Sequence, residues 1–375
     1  MINSEVLEIR KQFKHDNCAI TKISGCYVDG EKEIKTKFIE SFLCKPEEET
    51  FKYFEIFKKT LSGTIGKNLI NMEFPTEAEF DGGTQEFLLR LRDSQLRDEA
   101  LVDEFYNKVI QMYDYTGNYI ILLIYSAYDV PGKTKDKIFM DDASEEVYHH
   151  ILCSICPVKL SKPGLSYHEE TNEIHKRIQD WVVGVPENGF LFPAFNERST
   201  DIHSLLYYSK NPEELQIDFV NQLLGCKVPL SAGGQKETFQ SLIQETLGED
   251  CEYEIVRNIH DKLQEIIVEH KEKELAEPLT LDKAEVKYLF TEAGVAQEKL
   301  DVLDKNYDQI TGENVSLLAT NVANSRVFEV KTPDVVIKVN PDRGDLIETK
   351  LVDGRKCLVI EINDQVEVNG IPVKI

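Results

Sequence analysis

Two histidines stand just ahead of a Cys-x-x-Cys pair in HHILCSICPVKL, residues 149–160. Those residue types could hold a metal or run thiol–disulfide exchange. A zinc knuckle needs a tight turn that brings both thiolates to one point, usually with a turn former such as Gly nearby. Here Ile, Leu, Ser and Ile surround the thiols and favour an extended chain, in which side chains three apart face opposite ways. A thioredoxin-like pair opens a helix after a strand, whereas this stretch lies inside one. Cys153 and Cys156 are therefore expected inside a buried strand, with no metal site and no cofactor.

Other near-motifs fail on spacing. HEETNEIH (168–175) places its second histidine at i+7, not the i+4 that a zinc-binding helix needs, and reads as a solvated loop. SGTIGKN (62–68) has glycines three apart and Asn68 where a phosphate loop has a hydroxyl; a helix C-cap at Gly63 explains it. Asp304, Asn306 and Asp308 begin like a calcium loop, but Gln309 and Val315 stand where Gly and the bidentate Glu belong. The helical pair at 281–307 presents Glu298, Asp301 and Asp304, an unsuitable surface for a DNA groove. Arg343-Gly344-Asp345 reads as a turn.

One stretch keeps a functional reading. In GFLFPAFNERSTDIHSLLYY (189–208) an apolar strand ends at Phe195 and releases Asn196, Glu197, Arg198, Ser199, Thr200 and Asp201 ahead of an expected helix, DIHSLLYY. If Ser199, Thr200 or Asp201 caps that helix, its first-turn amides point outward with partial positive charge. Arg198 beside them would favour a carboxylate or phosphate. These six residues are the candidate ligand-binding set; no catalytic residue is assigned.

The elements that must position them follow from periodicity. Val6, Ile9 and Phe13 stripe a short helix over 4–14, and CAITKISGCYV and EIKTKFIESF alternate around Asp29-Gly30 as a hairpin. PEEETFKYFEIFKKTL, TQEFLLRLRDSQL and EALVDEFYNKVIQMY read as helices. NYIILLIY and ILCSICPV are apolar on both faces, which calls for central strands covered above and below. From about residue 212 the pattern turns helical; Ile255, Ile259, Leu263 and Ile266 mark the longest stripe. From Arg326 it alternates again, ending in a hairpin signal at Asn369-Gly370. The expected fold is α+β: a mixed or antiparallel central sheet with packed helices, then a helical region and a small antiparallel β module. The expected domains are a core over 1–230 (hairpin and helix 1–75, helices and sheet 76–230), a helical region 231–322 and a β module 323–375.

Composition narrows the function classes. The 375 residues carry 41% hydrophobic and 29% charged side chains and a net charge of −24. Residues 1–75 hold 12 basic and 12 acidic side chains, so the whole excess lies beyond them. Such a field repels nucleic-acid phosphates and anionic lipid, and neither partner is expected. The longest apolar run, YIILLIYSAY, is about half of what a membrane-spanning helix needs. Eight scattered cysteines and a polar N-terminus suit the cytoplasm, with thiols reduced.

KTLSGTIGKNL, DSQLRDEALV, AYDVPGK, ILCSICPVKLSKP, GFLFPAFNERST, QKETFQSL and TPDVVIKVNPDRGDLIETKLVDGR together resemble a bacterial family catalogued as a domain of unknown function, over nearly the whole chain. The resemblance implies a bacterial cytosolic protein and carries over no activity, cofactor or site residue. The expected function is a non-enzymatic binding or regulatory protein with a protein or small anionic partner. The alternative is a hydrolase acting on an anionic small molecule at residues 196–203.

Overall fold

A run that is apolar on both faces has to lie between two layers, and the placement of NYIILLIY obeys this. The computed structural model describes residues 1–133, 139–312, 315–323, 327–362, 366–368 and 370–373. The chain divides into two compact units, Met1–Ser231 and Ala232–Ile375.

The first unit runs α1 (Asn3–Arg10), β1 (Ile20–Val28), β2 (Ile34–Ser41), α2 (Glu47–Thr60), β3 (Leu69–Glu73), α3 (Thr84–Asp93) and α4 (Glu99–Met112). The strands β4 (Asn118–Lys133), β5 (Phe139–Leu160), β6 (Leu165–His168), β7 (Glu173–Lys176) and β8 (Trp181–Val183) follow. Then come β9 (Asn188–Phe192), β10 (Ala194–Asn196), β11 (Ser199–Asp201), β12 (Ser204–Ser209) and a π-helix, Phe219–Leu224. The main sheet has the order β2-β1-β4-β5-β9-β12-β3, antiparallel at every step, and β8 adds to the far end of β5.

Helices cover both faces. Leu88, Leu91, Val102, Phe105 and Val109 of α3 and α4 pack with Phe219 and Leu223 on Ile121, Leu123, Cys153 and Phe190. On the other face Val6, Ile9, Phe54 and Phe57 of α1 and α2 pack on Leu122, Ile124, Leu152 and Leu206. Local signals agree with this: α2 opens on Glu47, Glu48 and Glu49 and closes on Lys58 and Lys59, as the helix dipole prefers. The Asp98 side chain accepts from the Ala100 and Leu101 amides at the start of α4. Some polar groups inside the layers pair with one another. Thr60 and Ser154 bond at 2.7 Å, and Asn188 accepts from Tyr113 at 2.9 Å while donating to Tyr207 at 2.8 Å. Gly189 has to be glycine, since a Cβ there would press into the Cys153 carbonyl and the Thr60 methyl.

Three expectations are corrected. The expected helix DIHSLLYY is no helix: Asp201 ends β11, and Ser204–Ser209 form the strand β12, wedged between β9 and β3, whose Leu and Tyr side chains alternate between the two cores. A short apolar run fits a buried strand and a buried helix equally, and here the neighbouring strands decide. HEETNEIH is the hairpin β6–β7 with Asn172 at φ 52° in its turn, where a loop was expected. The helical turn after residue 212 is a π-helix, closed by Gly225 at φ 70°.

The second unit contains α5 (Ala232–Leu247), α6 (Tyr253–Glu272), β13 (Thr280–Leu281), α7 (Lys283–Glu292), α8 (Gln297–Thr311), β14 (Leu317–Leu318) and α9 (Ala319–Val322). Phe239, Leu242, Ile259, Leu263, Leu289 and Leu303 form its core. Asp282 and Glu285 make a reciprocal capping box at the start of α7. Then come β15 (Phe328–Lys331), β16 (Val336–Val339), β17 (Ile347–Val352), β18 (Arg355–Ile360), β19 (Val366–Val368) and β20 (Ile371–Val373). They pair two by two, β15–β16, β17–β18 and β19–β20, where one small sheet was expected. Asn369 of the expected last turn lies outside the described residues.

Candidate functional site

The Cys-x-x-Cys stretch resolves as alternation requires. Cys153 lies in the core beneath α4, Cys156 projects from the opposite face of β5, and burial pushes both thiols well above their usual range. His150 is fully buried, its ring 4.4 Å from that of Tyr148; burial lowers its pKa to about 3, so it is uncharged at neutral pH. All eight cysteines are unpaired.

The six residues singled out by sequence form the hairpin β10–β11, with Glu197 and Arg198 in its turn at φ 52° and 59°. Two successive left-handed residues are the mark of a type I′ turn, so the polar switch after Phe195 is a hairpin turn. The helix N-terminus that was to supply positive amides is absent, because the next element is β12. Arg198 folds back onto α1: Nε reaches Glu8 Oε2 at 3.1 Å, and Nη2 reaches Oε1 at 3.0 Å and the Pro131 carbonyl at 2.8 Å. Both side chains are about 15% exposed. Tyr128 donates to the same Glu8 at 3.1 Å.

Glu146 takes the other half of the hairpin. It accepts from Ser199 Oγ at 2.8 Å, from the Thr200 amide at 3.1 Å and from the Thr200 hydroxyl. Burial pushes its carboxyl up, but the bonds from Thr200 and Ser199 outweigh that and hold it below the usual range. Asp201 accepts from Asn196 at 2.6 Å and from the His203 amide at 3.0 Å. Against burial, its bonds from Ser204, Asn196 and His203 hold its carboxyl low as well. Glu197 points to solvent. The structure thus brings the predicted residues together and engages most of their polar groups with one another.

A different arrangement occurs in the second unit. A cavity of about 450 Å³ is lined by Lys236 of α5, by Arg257, His260 and Asp261 of α6, and by Glu329 and Lys331 of β15. Positions 257, 260, 261 and 264 follow helical spacing, on the flank of the stripe that buries Ile259 and Leu263. Among the described residues the buried Arg257 Nε makes no hydrogen bond; it lies 3.6 Å from Asp261 Oδ2, within ion-pair range. Lys236 and Lys331 form no ion pair among the described residues, while Glu329 is paired with Lys338 at 3.1 Å. Burial, and then Lys236, lower the pKa of His260, whose ring meets the edges of Phe239 and Phe328. Asp261 is raised, first by burial and further by Glu265 and Asp345, against the pull of Arg257. A volume of this size and a desolvated donor beside further cations suit an anionic group.

Sequence reasoning missed this cleft. Its cations come from three elements spread over 95 residues, inside a unit with 17 basic and 29 acidic side chains. The one usable signal was Arg257 and His260 at i, i+3 beside an apolar stripe.

By architecture the chain is an α+β protein, an antiparallel sheet between helical layers followed by a helical unit that carries strand pairs. It belongs to the family described as Domain of unknown function (DUF4317), whose model matches residues 1–371. No curated protein matches it. Among the described residues no helix is long and apolar enough to cross a membrane.

Proposed function

We propose that this chain is a non-enzymatic binding protein of the bacterial cytosol, and that the cleft of its second unit takes a carboxylate- or phosphate-bearing small molecule or an acidic group of a protein partner. The observation that carries this reading is the buried Arg257 Nε without an acceptor. A buried donor left unpaired costs about 1–3 kcal/mol, and an anion in the cleft recovers that term with charge assistance. Lys236 and Lys331 supply further positive charge at the rim, and His260 adds a ring that can gain a proton. Nucleic acid is a poor partner, because the net charge of −24 repels a polyanion over the rest of the surface.

A hydrolase built on residues 196–203 has less support, since Glu146 and Asp201 would first have to leave the bonds that hold the hairpin. The test is calorimetric titration of the full chain with phosphate, sulfate and citrate. The expected result is a dissociation constant of about 1 mM or tighter for at least one of them, weakened about tenfold or more in Arg257→Gln. Equal binding by wild type and Arg257→Gln, or no heat for any of the three, refutes the reading.

A further inference from the structure

Beyond the end of the main sheet, β5 and β8 continue as a two-stranded arm. Leu160 pairs with Trp181, the Ser161 and Arg177 amides bond to the Asp180 and Gly164 carbonyls at 2.8 Å, and β6–β7 closes the tip. Tyr167 lies directly opposite Ile174, and Leu165 is two residues from Tyr167, so all three share one face. The other face carries Ser166, His168, Glu173 and His175. The arm is therefore amphipathic, and its apolar face is open. On that face Leu165, Tyr167 and Ile174 are 60–77% exposed; nearer the root Ile178, Trp181 and Val182 are 51–72% exposed, with Trp181 and Val182 on opposite faces of β8. An isolated two-stranded ribbon is marginal in water, and an exposed apolar patch of this kind marks a surface that becomes covered.

The charges on the arm indicate what covers it. The tip carries Glu169, Glu170 and Glu173, whereas the root carries Lys159, Lys162, Lys176 and Arg177 against Asp180. Two copies of the chain repel through their overall charge, but the arm sums to zero and is polarised along its length. Laid antiparallel about a two-fold axis, each acidic tip falls over the partner's basic root while the apolar faces meet. Such an isologous contact is self-complementary by construction. Insertion into a lipid bilayer is disfavoured, because the three tip carboxylates would enter the hydrocarbon first.

We infer that the arm over residues 159–183 is a dimerisation surface and that its occupant is the same arm of a second copy. Tyr167 and the facing Ile174 are the central contacts, and Tyr is a residue type that interfaces favour. The exposed edge of β8 lies within the same surface.

The experiment follows the full chain by sedimentation equilibrium up to about 100 μM. Self-association to a dimer is expected over that range. Ile174→Glu, an exposed position, weakens the dimer about tenfold or more. Glu170→Lys and Lys162→Glu each weaken it alone, since each sets like charges together. An equal mixture of those two variants restores the wild-type association, because every tip then faces a root of opposite sign. A monomer throughout, association unaffected by Ile174→Glu, or a mixture no stronger than its components overturns the proposal. So does a chain that stays monomeric alone and co-sediments with phosphatidylglycerol vesicles.

Discussion

At the β10–β11 turn Arg198 grips Glu8 with two nitrogens and gives a third bond to Pro131, whereas in the cleft of the second unit Arg257 stands 3.6 Å from Asp261 with a buried Nε that makes no hydrogen bond among the described residues. Both sites set an arginine among carboxylates, and a count of residue types would rank them equally. What separates them is saturation. Around Arg198 the charges of Arg198, Glu8, Glu146 and Asp201 have all found partners of the chain's own, and the cluster ties a hairpin to α1 and β5. Around Arg257, among the described residues, a donor without a hydrogen bond and two lysines without an ion pair stand at the wall of a cavity. The saturated site fits a structural role, and the unsaturated one is where we place binding.

The sharpest way to break this comparison is to delete each arginine. Arg198→Ala leaves Glu8 largely buried and without its cation, which costs about 3 kcal/mol. Arg257→Ala removes only a loose ion pair and costs less than about 1 kcal/mol. Amide hydrogen exchange in β4, β5 and β9 measures the first, and exchange in α6 the second. Equal losses at both places would erase the distinction.

A second contrast concerns two histidines whose pKa values are both lowered. His150 is sealed in the sheet, and its folded-state value of about 3 lies below the ordinary value near 6.5. The unfolded chain therefore binds a proton first on acidification. The stabilising contribution is complete above about pH 6.5 and is lost as pH falls towards 3, at up to about 1.4 kcal/mol per pH unit. His150→Phe should flatten that part of the first unit's acid unfolding curve; an unchanged slope contradicts the assignment. His260 instead lines the cleft, facing Lys236, Arg257, Asp261, Glu329 and Lys331. As pH falls His260 gains a proton, and Asp261, raised by burial, loses its charge early. Both changes make the cleft more positive. Sulfate affinity is thus expected to rise as pH falls below about 6.5, and to rise less steeply in His260→Phe, where only Asp261 still changes charge.

Much of the fold was legible in the sequence, because local pattern and tertiary context agree for most elements. The stripes of α4 and α6, the charge polarity of α2 and the alternation around Asp29-Gly30 all point to the elements observed. Ser204–Ser209 was misread because an apolar run buried on both faces has no period, and its strand pairing is set by β3, more than 130 residues away. The hairpin at 196–201 was visible as a polar interruption. Its meaning was not, since Glu8 and Glu146 lie 190 and about 54 residues off in sequence. The cleft left hardly a trace, for no local window contains Lys236, Arg257 and Lys331 together.

One measurement confronts the two arginines directly. The Nε–Hε resonances of Arg198 and Arg257 can be followed by nitrogen–proton correlation NMR of the full chain during titration with sulfate. Arg257 is expected to shift saturably as its free donor gains an acceptor, while Arg198, already held by Glu8, stays in place. A moving Arg198 beside a static Arg257, or two static resonances up to tens of millimolar sulfate, would contradict the claim that the open cleft is the binding site.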